Sequence, residues 1–221
     1  MANVMPDPVR VLIVDDDALV RAGLSMMLGA FDEIEVVGAV ADGTEVAGAV
    51  NTHRPHVVLM DIRMPGMDGL TATADLRKRR DPPEVIVLTT FDTDEHVRRA
   101  MRVGASGFLL KHEPPGDIAR AVCRAASGEP MFTPSVLRQV MGMAAAHGED
   151  PDRDRARLAL KRLSPSEGDV ARLIAGGRTN QEIGAELNMS TATVKAYMTR
   201  IFTKLELSNR TQVAILVHDA R

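Results

Sequence analysis

Four short apolar runs in the first half of the chain are each followed by side chains that could do chemistry. They are RVLIV (10–14) before Asp15, Asp16 and Asp17, VVLM (57–60) before Asp61, VIVL (85–88) before Thr89, and GFLL (107–110) before Lys111. Carboxylates that gather in one place repel one another and need a cation, and hard oxygen ligands with room for water suit Mg²⁺. A lysine and a hydroxyl beside such an ion would surround a phosphoryl group with positive charge and hydrogen-bond donors.

The elements that must position these side chains repeat along residues 1–128. Together with EVVGAV (35–40), the β-branched runs alternate with segments of helical periodicity. Continuous apolar strands that alternate with helices are typical of a parallel sheet covered on both faces, so we predict a doubly wound α/β domain with a five-stranded parallel sheet. The C-terminal ends of parallel strands lie at one edge of the sheet, so the side chains that follow them can converge.

Asp61 ends the central strand alone and is the best candidate for a nucleophile, because a carboxylate beside a metal ion can form an acyl phosphate. Asp15 and Asp16 would hold the metal with it, and the backbone carbonyl of Arg63 would add a further ligand. Taken singly, each residue has an ordinary alternative. The aspartates could cap the next helix, and the threonine and lysine could be surface residues. The recurrence at four strand ends favours one common site.

Composition excludes several classes of protein. The net charge is −3, hydrophobic residues make up 45% of the chain and charged residues 26%, as in globular proteins. We find no apolar run near the ~18 residues of a membrane span and no export signal at the N-terminus. The single cysteine, Cys123, cannot form an internal disulfide, which fits a reducing cytoplasm.

The pattern of residue types along the sequence changes after Gly128. TPSVLRQVMGMAAA (133–146) can start a helix, with Thr133 as N-cap and Pro134 at the first position. The polar stretch HGEDPDRDRAR (147–157) is then interpreted as a flexible linker.

The last part of the chain is helical in pattern. SPSE (164–167) and TNQE (179–182) are capping boxes, and the first of these helices should stop at Gly176–Gly177. STATVKAYMTRIFTKL (190–205) and SNRTQVAILVHDA (208–220) start two more, which makes a small all-α domain of four helices.

The helix predicted over 190–205 has two different sides. Val194, Tyr197, Met198, Ile201 and Leu205 share one side, which must pack on other helices. The opposite side is small and polar, with Ala192, Ala196, Thr199 and Thr203, and is flanked by Lys195 and Arg200. Such a helix could enter a DNA major groove, and the short LNM link before it suits a helix-turn-helix. The alternative is an ordinary solvated face.

Residues 8–128 resemble the receiver domain of bacterial response regulators, through VLIVDDD, VVLMDIRMPGMDG, VIVLTTF and GASGFLLK. The resemblance implies a flavodoxin-like fold, with Asp61 as phosphoacceptor and Asp15 and Asp16 as the acidic pocket. It also implies that Thr89 is the switch hydroxyl, Phe108 the switch aromatic and Lys111 the lysine that binds the phosphoryl group.

Residues 160–221 resemble the DNA-binding domain of LuxR/FixJ-type (NarL-type) regulators, through LSPSEGDVARLIAGGRTNQEIGAELNMSTATVKAYMTRIFTKLELSNRTQ. The resemblance implies that helix 190–205 is the recognition helix. The DNA contacts it implies are Lys195, Ala196, Thr199, Arg200 and Lys204 toward bases or nearby phosphates, and Thr179, Ser190, Thr191 and Thr193 at helix N-termini, where phosphate can bind.

These features together predict a transcription regulator of a two-component system, with a receiver at 1–128, a linker with one helix at 129–159 and the helix-turn-helix domain at 160–221. A sensor histidine kinase or a small donor would phosphorylate Asp61 with Mg²⁺ as cofactor, and a homodimer would bind promoter DNA and contact RNA polymerase. We expect no turnover substrate. Two alternatives are a phosphatase of the haloacid-dehalogenase type, which would need D-x-D after the first strand, and a phosphorylation-independent DNA binder whose receiver serves only dimerisation.

Three narrower hypotheses follow. Arg63 and Phe91 would screen the phosphoryl group and slow its loss. The linker would let the receiver shield helix 190–205 before activation. The last helix has more apolar residues than one packing stripe needs (Val213, Ile215, Leu216 and Val217), so it would pack either against its twin in a dimer or over a wider surface within the chain.

Overall fold

The computed structural model describes residues 7–90, 94–129, 131–132 and 151–220. Contacts divide the chain into two compact units, Met1–Val136 and Leu137–Arg221, and each is described by itself.

The first unit is built on a parallel sheet. Its strands are β1 (Val9–Val14), β2 (Ile34–Val40), β3 (Val57–Met60), β4 (Glu84–Thr89), β5 (Gly107–Leu110) and β6 (Met131–Phe132), in the spatial order β2-β1-β3-β4-β5-β6. All the strand pairs are parallel. The five predicted strands are confirmed, each within one residue of its predicted ends. The sixth strand was not predicted, because two residues are too few to show a period.

Among the described residues of the first unit, five helices cover the sheet. They are α1 (Ala18–Leu28), α2 (Gly43–His53), α3 (Gly69–Arg77), α4 (Asp94–Arg102) and α5 (Pro115–Ala126). Alternate residues of β1 point to opposite faces, as the two-residue period of a strand requires. Val11 and Ile13 pack with α1 and α5, whereas Leu12 and Val14 pack with α2 and α3. Burying each such side chain stabilises the fold by about 1.5–3 kcal/mol, and the doubly wound architecture is confirmed.

The second unit consists of helices joined by short turns over its described residues. Its helices are α6 (Pro151–Leu160), α7 (Pro165–Ala175), α8 (Asn180–Glu186), α9 (Thr191–Leu205) and α10 (Arg210–Asp219). Both predicted capping boxes form, at Ser164 with Glu167 and at Thr179 with Glu182. The helix that begins at Ser164 was predicted to stop at Gly176–Gly177, and this is confirmed, because Gly176 is the C-cap of α7.

The turn between α8 and α9 depends on a glycine. The N–H of Met189 donates to the carbonyl of Gly184 at 2.8 Å, and a Cβ on Gly184 would lie 2.6 Å from the carbonyl oxygen of Met189. A side chain at this position would therefore force the two helices of the helix-turn-helix apart.

The flexible linker predicted over 147–157 is wrong from Pro151 onward, where α6 begins. Proline is favoured at the first helical position. One face of the helix is apolar, because Ala156 is buried while Ala159 and Leu160 pack on the core of the second unit. Arg157 Nε also donates to the carbonyl of Ala220 at 3.0 Å, at the end of α10.

The domain limits predicted from the sequence stay a prediction, and two elements of the structure, β6 and most of α6, fall within the predicted linker of 129–159. The limit at 128 excludes β6, which pairs with β5, and the linker of 129–159 includes most of α6. The helix predicted from Thr133 and Pro134 lies outside the described residues. No helix among the described residues is both long and apolar enough to cross a membrane.

Candidate functional site

The residues that follow the strands of the first unit are fixed at one edge of the sheet by backbone hydrogen bonds to neighbouring strands. The N–H of Asp61 donates to the carbonyl of Val14 at 2.8 Å, and the N–H of Lys111 donates to that of Thr89 at 2.8 Å. The backbone hydrogen bonds of the sheet thus extend one residue beyond the apolar runs of β1, β3, β4 and β5. This brings the polar side chains after β1, β3, β4 and β5 to the same edge.

Three of these side chains are in direct contact. Lys111 Nζ lies 2.5 Å from Asp15 Oδ2 and 3.3 Å from Asp61 Oδ2. Asp15, Asp61 and Thr89 are almost fully buried, with 1%, 5% and 3% of their surface exposed. The structure therefore brings two carboxylates and an ammonium group together, although their residues are far apart in the sequence.

The carboxylates also fit a hard cation. One oxygen each of Asp15, Asp16 and Asp61 lies within 4.8 Å of the others, and Asp16 is exposed. Oxygen donors that leave part of the coordination shell to water are what Mg²⁺ prefers. Arg63 lies in the loop directly after Asp61, with an exposed side chain.

Electrostatics in this pocket are dominated by burial and by the lysine. Burial raises the pKa of Asp61, and the nearby charge of Asp15 raises it further, while Lys111 acts in the opposite direction without cancelling the increase. Burial lowers the pKa of Lys111, but the hydrogen bond to Asp15 and the charges of both carboxylates outweigh it, so its pKa is raised overall. Lys111 is thus held as a cation between two carboxylates.

The loop after Asp61 passes very close to it, and glycines make this possible. A Cβ on Gly69 would lie only 1.8 Å from the carbonyl oxygen of Asp61. Gly66 has φ +76°, and a Cβ there would lie 2.5 Å from Asp42 Oδ2. Asp68 caps α3 by accepting the N–H of Thr71 at 2.8 Å. Asp42 and the two glycines were not predicted as site residues; the turn sequence PGMDG was the signal available.

Phe108 is fully buried and pairs in register with Val87 of β4. Phe91 lies outside the described residues, so its predicted screening role has no structural description.

In the second unit, the two sides predicted for helix α9 are confirmed. Val194, Met198, Ile201 and Leu205 are buried in the core, and Tyr197 is half-buried. The exposed residues of the opposite side and its edges include the predicted contacts Thr191, Thr193, Lys195, Ala196, Thr199, Arg200 and Lys204.

Lys204 differs from the other predicted DNA contacts because an acid already holds it. Its Nζ lies 2.7 Å from Glu167 Oε2, which also accepts the N–H of Ser164 at 2.7 Å. Lys204 and Ser164 hold the pKa of the buried Glu167 below its usual value. Sequence reasoning missed this pair, because the two residues lie far apart in the chain.

Two of the four hydroxyls predicted at helix N-termini, those of Thr179 and Ser190, act as caps. Ser190 Oγ accepts the N–H of Thr193 at 3.1 Å and lies 2.8 Å from the hydroxyl of Thr193. Thr179 Oγ1 accepts the N–H of Glu182 at 3.2 Å. A phosphate at these sites would meet the remaining backbone N–H groups and oxygens that already accept a hydrogen bond.

Comparison with known proteins agrees with both halves of this description. Residues 11–123 match the model of the response regulator receiver domain, and residues 161–217 match that of the bacterial regulatory proteins of the luxR family. The transcriptional regulatory protein LiaR of Bacillus subtilis (strain 168) is 39% identical over 210 residues, which covers 95% of this chain and 97% of LiaR. The chain belongs to the LuxR-type (NarL/FixJ) response regulators.

Two solved structures are similar over nearly the whole chain. The response regulator ChrA of a heme-sensing two-component system is 33% identical, with a TM-score of 0.54, over 96% of this chain and 97% of ChrA. RcsB of Salmonella enterica serovar Typhimurium, bound to promoter P1flhDC in the presence of the phosphomimetic BeF3⁻, is 26% identical with a TM-score of 0.57, over 97% of this chain and 100% of RcsB. RcsB is also described as two dimers bound to two parallel DNAs.

This response regulator is therefore a DNA-binding transcription regulator of the two-component type, in which a receiver precedes a helix-turn-helix domain. Membership of this family favours the regulator over the phosphatase alternative, since its relatives are transcriptional regulators.

The last helix of this response regulator packs widely within its own chain. Val213 and Val217 are buried, and Leu216 packs against the same core. Helix α6 also packs against α10. The intramolecular alternative thus accounts for three of the four apolar residues, and Ile215 is half-buried.

Proposed function

We propose that this response regulator is switched on by phosphorylation of Asp61. A carboxylate oxygen of Asp61 attacks the phosphorus of a phosphohistidine in a sensor kinase, or of acetyl phosphate. The P–O bond to Asp61 forms as the bond to the donor's nitrogen or oxygen breaks, and the donor keeps that electron pair. The product is an acyl phosphate on the regulator, and the chain has no further substrate to turn over.

The chain's own groups position this reaction. Asp15, Asp16, Asp61 and the carbonyl of Arg63 would hold Mg²⁺, which when bound supplies positive charge to the transferring phosphoryl oxygens. Lys111 already lies 3.3 Å from Asp61, so its ammonium can move from Asp15 onto a phosphoryl oxygen. Burial of Asp61 excludes competing water from the carboxylate.

The response is proposed to pass through Thr89 and Phe108. The Thr89 hydroxyl would donate to the new phosphoryl oxygens, and Phe108 would shift into the space it leaves, reshaping the surface of α4, β5 and α5. A shift from 1:99 to 99:1 in favour of the active state needs about 5.5 kcal/mol of differential free energy. Dimerisation would supply part of it.

The output is proposed to be binding of a homodimer to promoter DNA, with α9 in the major groove. Lys195, Ala196, Thr199 and Arg200 would face bases or nearby phosphates, whereas Lys204 would first have to leave Glu167. The RcsB complexes with promoter DNA and as dimers support this output. RNA polymerase would then be contacted at the promoter, and the cytoplasm is where such a regulator meets its DNA.

The observation that carries the proposal is the contact of Lys111 with both Asp15 and Asp61 beside Asp16. The test is binding of the full chain to genomic fragments with and without acetyl phosphate and Mg²⁺, for wild type and for Asp61→Ala. We expect acetyl phosphate to strengthen wild-type binding and to leave Asp61→Ala unchanged. Equal strengthening in both would disprove phosphorylation at Asp61. Strong binding that acetyl phosphate never alters would favour the alternative of a phosphorylation-independent regulator that uses its receiver to dimerise.

A further inference from the structure

The short loop between β1 and α1 carries Asp15 and Asp16, and both of its ends are anchored. The N–H of Asp15 donates to the carbonyl of Val40 in β2 at 3.2 Å. At the other end, Asp17 caps α1 by accepting the N–H of Leu19 at 2.8 Å, and its own N–H donates to Asp15 Oδ1 at 3.0 Å. Asp16 lies between these anchored neighbours and is exposed. The direction of its carboxylate therefore depends on the peptide groups on either side of it.

A cationic side chain of α1 holds one of these peptide groups. Arg21 Nη1 donates to the carbonyl oxygen of Asp15 at 2.6 Å, a short bond of the kind that a charged donor makes. The backbone of Arg21 is fixed in its turn, because its N–H donates to the carbonyl of Asp17 at 3.0 Å and its carbonyl accepts the hydroxyl of Ser25 at 2.8 Å. Arg21 is half-buried, so water has limited access to its bond with Asp15.

The carbonyl that Arg21 holds belongs to the peptide bond between Asp15 and Asp16. This peptide group is planar from the Cα of Asp15 to the Cα of Asp16, so a bond that fixes the direction of the carbonyl also fixes the position of the Asp16 Cα. One oxygen of Asp16 lies within 4.8 Å of oxygens of Asp15 and Asp61. Rotation of the peptide group would move the Asp16 carboxylate relative to these two oxygens.

Arg21 and Lys111 are both cations beside this loop, but they contact different groups. Lys111 Nζ lies 2.5 Å from a carboxylate oxygen of Asp15, whereas Arg21 contacts the backbone carbonyl of the same residue. A positive charge near the carboxylates should oppose the binding of a metal ion. A group that orients a metal ligand should instead strengthen metal binding, by about 10- to 100-fold. The two roles therefore predict opposite effects when Arg21 is removed.

We infer that Arg21 is a positioning residue of the phosphorylation site, which holds the peptide group between Asp15 and Asp16 so that the Asp16 carboxylate faces the metal ion. The inference rests on the proposed function, because the proposed function assigns Asp16 to the Mg²⁺ site. Arg21 then acts through Asp16 and not on the phosphoryl group. Its loss should weaken Mg²⁺ binding, although a positive charge is removed.

The test is calorimetric titration of the metal-free, unphosphorylated full chain with Mg²⁺. Arg21→Met removes the donor and the charge together, and we expect it to bind Mg²⁺ about tenfold more weakly than wild type. Arg21→Lys keeps a cation and a donor without the planar fork of the guanidinium, and its affinity should fall about threefold. Arg120→Met is the control, because it removes an exposed arginine paired with Asp117 on the neighbouring helix α5, and it should bind Mg²⁺ like wild type.

A double-mutant cycle with Asp16 separates positioning from a general effect on stability. Asp16→Ala should itself weaken Mg²⁺ binding. In the Asp16→Ala background, Arg21→Met should change the affinity by less than about twofold, because the group that Arg21 positions is gone. Phosphorylation by acetyl phosphate gives a second readout: Arg21→Met should need about tenfold more Mg²⁺ for its half-maximal rate and reach the wild-type rate at saturation. Thermal unfolding without metal checks that each variant folds.

Each outcome decides the inference. If Asp16→Ala weakens Mg²⁺ binding and Arg21→Met does not, the inference is wrong and the proposed metal site stands. If Arg21→Met weakens binding equally in the Asp16→Ala background, Arg21 supports the whole domain and the inference is again wrong. If Arg21→Met does not fold, Arg21→Lys decides, and binding as tight as wild type disproves the inference. If Asp16→Ala binds Mg²⁺ as tightly as wild type, the metal site of the proposed function is itself wrong and the inference falls with it.

Discussion

The ammonium of Lys111 lies closer to Asp15, at 2.5 Å, than to the proposed phosphoacceptor Asp61, at 3.3 Å. Lys111 therefore neutralises the same carboxylates that would bind a metal ion. A cation entering the pocket must share Asp15 with the lysine or displace it.

Lys111→Met should bind Mg²⁺ about tenfold more tightly than wild type, because a like charge about 4 Å away costs between about 1 and 4 kcal/mol at the surface of a protein. Without metal the variant should be less stable, since two buried carboxylates lose their partner. Calorimetric titration and thermal unfolding with and without Mg²⁺ measure both effects. Lys78→Met, which removes an exposed lysine paired with Asp75, is the matched control. Weaker Mg²⁺ binding by Lys111→Met would refute the competition.

Gly69→Ala should abolish phosphorylation by acetyl phosphate and destabilise the receiver, by roughly 1–3 kcal/mol or more, as overpacking does. The added Cβ would lie 1.8 Å from the carbonyl of Asp61, so either Asp61 or α3 has to move. Gly48→Ala is the control, because a Cβ there meets nothing within 4 Å. Alanine at that exposed position of α2 should stabilise the receiver by about 0.5–1 kcal/mol. Phosphate-affinity gels and chemical unfolding give the two readouts.

The helix-turn-helix domain should lose stability in acid through Glu167. The pKa of Glu167 is lowered in the folded protein. The stability that Glu167 contributes to the domain is therefore complete above the pKa of the unfolded chain, about 4.3. That contribution is lost as the pH falls through the folded pKa. Glu167→Gln should therefore flatten the pH dependence of the domain's thermal unfolding below about pH 5.

Glu182→Gln is the comparison for this prediction, because Glu182 occupies the same place in the second capping box. Its pKa is also lowered, through hydrogen bonds from Thr179, but it is exposed and solvent screens it. We expect a smaller change in the same direction. An equal or larger change would mean that the Glu167–Lys204 pair contributes nothing particular.

Arg63→Ala combined with Phe91→Ala should shorten the lifetime of the phosphorylated regulator. Arg63 lies two residues beyond Asp61 and is exposed, so its side chain can fold over a phosphoryl group and keep water away. Loss of radioactive phosphate from purified protein measures the rate, and Arg98→Ala on α4 serves as control. Slower decay in the double variant than in wild type would contradict the screening role.

A fragment of residues 151–221 should be more stable than one of residues 161–221, because only the longer one contains α6. Removing α6 exposes the pocket that buries Ala156 and breaks the hydrogen bond from Arg157 to Ala220. Thermal unfolding of the two fragments tests this expectation. Equal stability of the two fragments would mean that α6 adds little to this domain.

The idea that the receiver shields α9 should also be tested with the longer fragment, since a fragment starting at Ala159 would lack most of α6.

The sequence predicted the sheet and its rim well because four of the strands, β1, β3, β4 and β5, are apolar runs that lead directly into a polar residue. The parallel topology then brings Asp15, Asp61 and Lys111 together without any knowledge of loop geometry. Capping boxes such as SPSE were equally reliable, because both partners lie within one turn.

Features that depend on partners distant in the chain were missed. Half of the ten residues of helix α6 are Asp or Arg, and the side chains that pack on the core are Ala156, Ala159 and Leu160, so its contacts with the rest of the second unit stabilise it. The pairing of Lys204 with Glu167 and the close passage of Gly69 behind Asp61 also arise from the tertiary fold, which no local pattern contains.

The short strand β6 has a practical consequence for work on the receiver alone. A fragment cut at residue 128 would lose Met131 and Phe132, and the outer side of β5 would then present unpaired N–H and C=O groups to solvent. Open strand edges of this kind recruit strands from other molecules and lead to aggregation. A receiver fragment that runs past Phe132 keeps its own edge covered.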